Sequence, residues 1–328
     1  MISANFHTHT FRCHHAEGTE REYIETALGL GMKTLGFSDH SPYFFEGDYY
    51  SGFRMRSEEL PGYVNTLTEL REEYRGRIDI HIGLEAEYYP RHFDKLLEYV
   101  RSCGIEYLIL GQHFTRNEYD GQSAFYTGDD IAFMEEYSSQ VCEALGTGVF
   151  SYVAHPDMPT YTGAETERYE LLCRRICEAA RAADVPVEFN LQGFVEGRTY
   201  PKVDFFRIAH EVGCRTIIGC DAHRATMISE TEKISEAEKI LSELGLERTE
   251  SAQELADYYS MADVFVNATL EDNFPTTNLE ALSCGTPVIT YETGGSPESI
   301  DEMVYHLAAK LLEPFGIEAK EYRRWTGL

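Results

Sequence analysis

Across residues 1–246, seven short apolar or β-branched runs alternate with longer amphipathic stretches, which restricts this part of the chain to repeated β/α units. The runs fall at 3–7, 34–38, 79–84, 107–111, 149–154, 186–190 and 216–219. Helix patterns occupy 20–30, 57–74, 93–102, 131–145, 166–183, 203–212 and 229–244, with Thr19 placed to cap the first and Gly31 to stop it. Such units either close into a barrel or lie in an open doubly wound sheet, and periodicity does not separate the two. The residues at the far end of each run do separate them. His7 and His9 end or follow the first, Asp39 and His40 the second, Glu85 the third, His113 the fourth and His155 the fifth; Glu188 and Asn190 end the sixth, and Asp221 and His223 follow the seventh. A barrel brings these ends to one face, whereas the outer strands of an open sheet lie too far apart to share a site. A seven-stranded barrel is expected.

The opening, MISANFHTHTFRCHH, alternates His7 and His9 about Thr8, so on a strand both imidazoles project to one side. A single histidine in such a run is ordinarily a hydrogen-bonded structural residue, and a single aspartate an ordinary cap. The set reads differently. Seven of the twelve histidines, with Glu85 and Asp221, gather near predicted strand ends, which is the pattern of a metal site. Imidazole and carboxylate without thiolate suit zinc, manganese or iron rather than a cysteine-rich or all-oxygen site. The donors are too many for one ion; shared out with a bridging carboxylate, they provide for two or three divalent ions with positions left for water and substrate. Cys13, beside the cluster, is read as a packing residue. The cysteines are scattered without a C-x-x-C pair and are expected to be reduced, most of them buried.

A formal net charge of -28 repels a phosphate backbone, so long nucleic acid is not an expected partner. Bound divalent ions would still make one cleft locally positive, which leaves a small anionic metabolite as substrate. No run of eighteen apolar residues is present and the first strand pattern begins at the initiator methionine, so neither a membrane span nor a signal peptide is expected, and the cytoplasm is the expected location. Nothing in the pattern indicates an oligomeric state.

The stretches HTHTFRCHHAEGT, GFSDHSPY, GLEAEYYP, GQHF, AHPD, VEFNLQGFVEGRTYP and GCDAH together resemble the polymerase and histidinol phosphatase (PHP) superfamily, and within it the histidinol-phosphatases. The resemblance implies a distorted, TIM-like (β/α)7 barrel with a trinuclear site. By motif it places His7, His9, Glu85 and Asp221 on one ion, Glu85, His113 and His155 on a second, and His15, His40 and His223 on a third. His14 is left without a role. A hydroxide held between two such ions is a strong nucleophile near neutral pH, so the implied activity is hydrolysis of a phosphomonoester, with L-histidinol phosphate first. Arg198, in GRTYP after the sixth run, is the preferred phosphate clamp because a guanidinium matches phosphate in a fork. Arg54 and Arg56, on the long connection after the second run, are weaker candidates. Asp157 is a candidate acid for the leaving alkoxide, or else a residue that orients a ligand histidine.

The texture changes after residue 246, and 247–328 is expected to form a small C-terminal α/β appendage: a strand at 263–267, a helix at 277–283, a strand at 287–291, and a last stretch from 302 that starts helical. ADVFVNATLEDNFPTTNLEALSCGTPVITYETGGSPE resembles a fragment of a GT-B family 4 glycosyltransferase, with Asp272 and Glu280 at its acidic positions. The acceptor-binding half and the Gly-rich loop have no counterpart, so no glycosyl transfer is expected. Two other readings stand beside histidinol phosphate: a PHP hydrolase of a sugar phosphate or short phosphodiester, and a non-catalytic scaffold in glycan assembly. The scaffold reading requires lost ligands, and none is lost.

Overall fold

The computed structural model describes residues 2–246 and, beyond them, the strands Phe265–Asn267 and Val288–Thr290. Seven parallel strands succeed one another in chain order: β1 (Ala4–Asn5), β2 (Thr34–Phe37), β3 (Asp79–Ala86), β4 (Tyr107–Leu110), β5 (Phe150–Val153), β6 (Val187–Asn190) and β7 (Thr216–Gly219). The ends of this sheet meet just beyond β1 and β7. Thr8 bridges Ala222 in parallel, with His9 N–H donating to the Ala222 carbonyl at 2.9 Å and Ala222 N–H to that of His7 at 3.2 Å. The result is a nearly closed, TIM-like barrel, as the residues at the ends of the runs predict. Its strands are covered on both sides, which is why they read as unbroken apolar runs.

The helices match the predicted stretches: α1 (Glu20–Gly29), α2 (Leu60–Glu73), α3 (Phe93–Ser102), α4 (Ile131–Leu145), α5 (Thr166–Ala182), α7 (Val203–Val212) and α8 (Thr231–Glu243). Thr19 caps α1 through a reciprocal capping box with Glu22. The predicted helix at 57–74 divides into a 3-10 turn, Ser57–Glu59, and α2, with Pro61 in the first turn of α2 where its missing N–H costs nothing. A short helix, α6 (Leu191–Glu196), leaves β6 directly and is unmarked in the sequence, because Gly193 and Gly197 read as loop. Asn190 caps it, its side chain accepting from Gly193 N–H at 2.9 Å.

Tyr107 fills part of the barrel interior. A Cβ on Gly36 or Gly83 would stand 2.4 or 2.3 Å from its side chain, and its hydroxyl lies 2.9 Å from the carbonyls of both Phe6 and Phe37. The two glycines on neighbouring strands are therefore the space into which this ring fits.

The chain divides into two compact units, Met1–Glu250 and Ser251–Leu328. In the second, β8 (Phe265–Asn267) pairs in parallel with β9 (Val288–Thr290), inside the two strand stretches expected there. The expected helix at 277–283, Asp272, Glu280 and the stretch from 302 lie outside the described residues. Among the described residues no helix is long and apolar enough to cross a membrane.

Candidate metal centre

The donor residues expected from the sequence converge at the carboxyl ends of the strands, with Glu85 on β3 in the middle. Room for its carboxylate comes from the next strand: a Cβ on Gly111 would sit 1.8 Å from Glu85 Oε1. In the same way a Cβ on Gly219, at the end of β7, would sit 1.7 Å from Glu188 Oε1 on β6. Each buried carboxylate thus occupies the place of a missing side chain on its neighbour. His155 and Asp221 reach the centre from left-handed backbone, at φ +30° and +47°, which non-glycine residues adopt only where surrounding structure enforces it.

The donor spacing fits a metal ion. His7 Nε2 lies 3.6 Å from Glu85 Oε2 and 3.4 Å from Asp221 Oδ1; His9 Nε2 lies 3.4 and 3.3 Å from the same two oxygens. Ligands about 2.1 Å from a tetrahedral zinc have edges of about 3.4 Å. The protons point the same way. His7 Nδ1 donates to Glu188 Oε1 at 2.7 Å, which aims Nε2 at two carboxylates, a place for a metal ion or, without one, a proton. That nitrogen, both nitrogens of His9, His40 Nδ1 and Glu85 Oε2 are buried without a hydrogen-bond partner. Imidazole nitrogens and carboxylate oxygens gathered this closely without hydrogen bonds call for a cation between them.

The second expected group repeats the pattern. His155 Nε2 and His113 Nε2 lie 2.9 and 3.6 Å from Glu85 Oε1, and His113 Nδ1 donates to Glu87 Oε1 at 2.9 Å. In the third, His223 Nε2 and His15 Nε2 stand 2.9 Å apart, while the Nδ1 atoms are held by the Asp221 and Cys13 carbonyls at 3.1 and 2.9 Å. His40 completes a cluster with these two and also approaches Glu85 Oε2 at 3.0 Å, which puts it between groups.

Electrostatics agree with the geometry. Burial, with His223 adding to it, pushes His9 down to about 3; burial also holds His15 below and His40 well below the ordinary imidazole range, so all three are neutral donors at neutral pH. Burial opposes charge on His7 as well, but the Glu188, Asp221 and Glu85 carboxylates overcome it and hold His7 well above the usual value. Burial resists charge on Glu85 and Asp221 too, yet the surrounding imidazoles keep both well below the usual carboxylate range. The cavity is built for positive charge.

Several residues take places the sequence did not assign. Glu188 accepts from His7 and, through Oε2, from His155 N–H and Asn190 Nδ2, each at 2.9 Å. Glu87 does the same for His113. Both orient donors, and the only sign of them in the sequence is position: Glu188 on a strand end, Glu87 two residues past Glu85. Asp39 is turned from the donors and accepts from Thr10 N–H and Oγ1 at 2.8 and 3.0 Å; burial pushes its carboxyl up to about 7. Cys13 donates to the Thr10 carbonyl at 3.2 Å, and burial raises its thiol well above the usual range, in keeping with packing. His14 turns aside on left-handed backbone to face Glu59 at 3.3 Å.

The donors open into a cleft of about 830 Å³ walled by Phe53, Phe114, Phe125 and Tyr126, with Glu17, Glu196, Arg198 and Arg224 also lining it. Arg198 lines the cleft, tethered by Glu196 at 2.7 Å and donating to Tyr200 Oη at 2.8 Å. Asp157 is not among the lining residues. Its Oδ2 accepts from the backbone N–H of Lys202, whose Nζ returns to the Asp157 and Pro159 carbonyls at 2.5 and 2.7 Å. Burial raises this carboxyl to about 6 against the pull of Lys202, and its second oxygen, Oδ1, is buried without a hydrogen-bond partner. Arg54 is no clamp either: it is buried at 1% exposure and paired with Glu87 and Glu118. Arg56 lies over the Tyr50 ring at 4.1 Å.

Residues 5–192, more than half of the chain, match the PHP domain family. Residues 209–314 match the family of group 1 glycosyl transferases, a match that begins within α7 of the barrel. A probable histidinol-phosphatase of Deinococcus radiodurans is 30% identical over 230 residues, covering 66% of this chain and 85% of its own. The structure of histidinol phosphate phosphatase from Lactococcus lactis, complexed with zinc, L-histidinol and phosphate, has the same fold, with a TM-score of 0.61 at 20% identity over 75% of this chain and 95% of that one. A D-inositol 3-phosphate glycosyltransferase of Streptomyces bingchenggensis is 45% identical over 47 residues, 14% of this chain and 10% of its own. The chain belongs to the PHP domain family, and is a phosphoric monoester hydrolase of the histidinol-phosphatase kind.

Proposed function

We propose that the protein hydrolyses L-histidinol phosphate to L-histidinol and phosphate, using two or three divalent ions, zinc, manganese or iron, held by His7, His9, His15, His40, Glu85, His113, His155, Asp221 and His223. The observation that carries the reading is the set of buried, unpartnered donor atoms around Glu85, opening into a cleft that also holds a guanidinium. When bound, such ions supply a nucleophile near neutral pH and positive charge beside the phosphoryl oxygens. The chain supplies the rest. Glu188 and Glu87 fix which nitrogen of His7 and His113 faces the centre. Arg198, with Nε and Nη2 on Glu196 and Nη1 on Tyr200, puts a guanidinium charge in the cleft wall that would stabilise charge growing on the phosphoryl oxygens as the ester bond breaks. Asp157 holds the turn at Lys202 through Oδ2. The leaving alcohol of this substrate carries an imidazole and an ammonium; the aromatic wall suits the ring, and the Glu17 carboxylate at the rim suits the cation.

A sugar phosphate is the second reading, favoured by the glycosyl transferase match in the same chain. The test is phosphate release from metal-loaded protein over L-histidinol phosphate, several sugar phosphates, a phosphodiester and a dinucleotide. About hundredfold selectivity in kcat/KM for L-histidinol phosphate, roughly 2.7 kcal/mol of differential transition-state binding, is the expected result. Equal or faster turnover of a sugar phosphate replaces the first reading with the second.

A further inference from the structure

We propose that Arg54 is a positioning residue that couples the walls of the cleft to the metal centre, acting through Glu87 on His113. The inference rests on the metal-dependent reading above. Arg54 lies on the connection between β2 and α2, and its Nη1 donates to the Ser41 carbonyl at 2.7 Å. Its Nη2 donates to Glu87 Oε1 at 3.0 Å and also to Glu118 Oε1. Glu87 comes just after β3, and the oxygen that Arg54 holds is the one that accepts from His113 Nδ1 at 2.9 Å. Glu118 lies on the connection after β4. One guanidinium therefore joins three segments of chain.

This placement acts on the site in two ways. With Glu87 held, His113 keeps its proton on Nδ1 and turns Nε2 toward Glu85 Oε1, 3.6 Å away. With Glu118 held, the connections after β2 and β4 stay together: Phe53 and Phe114 stack at 6.2 Å and 17°, and both line the cleft. Tyr43, from the first connection, adds a hydrogen bond to the Glu87 carbonyl. A buried ion pair that served packing alone would be replaceable by apolar residues of similar volume. Here one carboxylate shares its oxygen with the ring of a donor histidine, and the cation cannot be exchanged without changing what that ring does. Lysine, a point charge without a fork, cannot hold both carboxylates in this geometry.

The test uses the full-length, metal-loaded protein and its Arg54→Lys and Glu118→Gln variants. The readouts are metal retained against a chelator, the visible spectrum of the cobalt-loaded form, and kcat and KM for p-nitrophenyl phosphate. Arg54→Lys is expected to weaken metal retention about tenfold to hundredfold, shift the cobalt spectrum and lower kcat. Glu118→Gln, which leaves the Arg54, Glu87 and His113 chain in place, is expected to raise KM with the cobalt spectrum unchanged. If Arg54→Lys melts earlier but keeps wild-type metal retention, cobalt spectrum and kcat, Arg54 is only structural and the proposal falls. Should Arg54→Lys not fold, Arg54→Met combined with Glu118→Gln, which removes one carboxylate along with the cation, is read by the same criteria. Because p-nitrophenyl phosphate needs no particular leaving group, a different natural substrate leaves this test intact. A wild-type protein that binds no metal would instead overturn the functional reading, and this proposal with it.

Discussion

His9 Nε2 and Asp221 Oδ1 lie 3.3 Å apart among the donors, and each residue is expected to be indispensable. His9→Ala or Asp221→Ala should abolish phosphate release while circular dichroism shows an intact barrel; turnover at the wild-type rate would refute the site. Glu188 gives a graded case. Glu188→Ala frees His7 to rotate and leaves His155 N–H without its acceptor, so metal affinity measured by chelator competition should fall about tenfold to hundredfold. Retained affinity would show that packing alone orients His7. The donors were legible because they needed only residue type and position at a strand end. Their supports were not, since an orienting carboxylate is recognised by what it touches, and nothing in the sequence distinguishes Glu188 or Glu87 from an ordinary strand-end acid. Arg198 and Arg54 show the same limit: both are arginines on connections after strands, yet one stands in the cleft and the other lies buried between two carboxylates.

Between neighbouring strands, the centre depends on side chains that are missing. Gly111→Ala would drive a Cβ into the Glu85 carboxylate, and the displacement should cost about 1–3 kcal/mol of stability and at least about tenfold in kcat/KM. Gly29→Ala in α1, where a Cβ meets nothing within 4 Å, is the control and should leave activity unchanged with stability equal or slightly raised. If Gly111→Ala proves as silent as Gly29→Ala, the fit between strands is not what seats Glu85. Strand and helix positions were legible for a related reason: the units β1 to β7 bury one face after another, and burial writes a period into the sequence. Closure was less so, because Thr8 and Ala222 meet through isolated backbone bridging rather than a strand, and such bonds leave no apolar pattern. α6 was missed because its glycines outweigh six residues of helix.

In the whole molecule, metal and fold are linked through the same buried donors. A chelator that removed bound ions would leave carboxylates and imidazoles facing one another with only protons between them. Each ion present at about a hundred times its dissociation constant adds about 2.7 kcal/mol to folding, or roughly 5–10 °C in Tm for a barrel of this size. Chelation should therefore abolish activity and lower Tm together, and added zinc or manganese should restore both. A Tm insensitive to metal would mean that protons alone satisfy the cavity. The second unit, beginning at Ser251, contributes none of the residues assigned to chemistry, since every donor, both orienting carboxylates and Arg198 lie in Met1–Glu250. A chain ending at Glu250 should therefore keep kcat and KM for L-histidinol phosphate within about twofold of the full chain, a difference of at most ~0.4 kcal/mol. A tenfold rise in KM on truncation, with kcat and metal content unchanged, would instead assign the glycosyl transferase-like segment a part in substrate binding and turn attention to sugar phosphates.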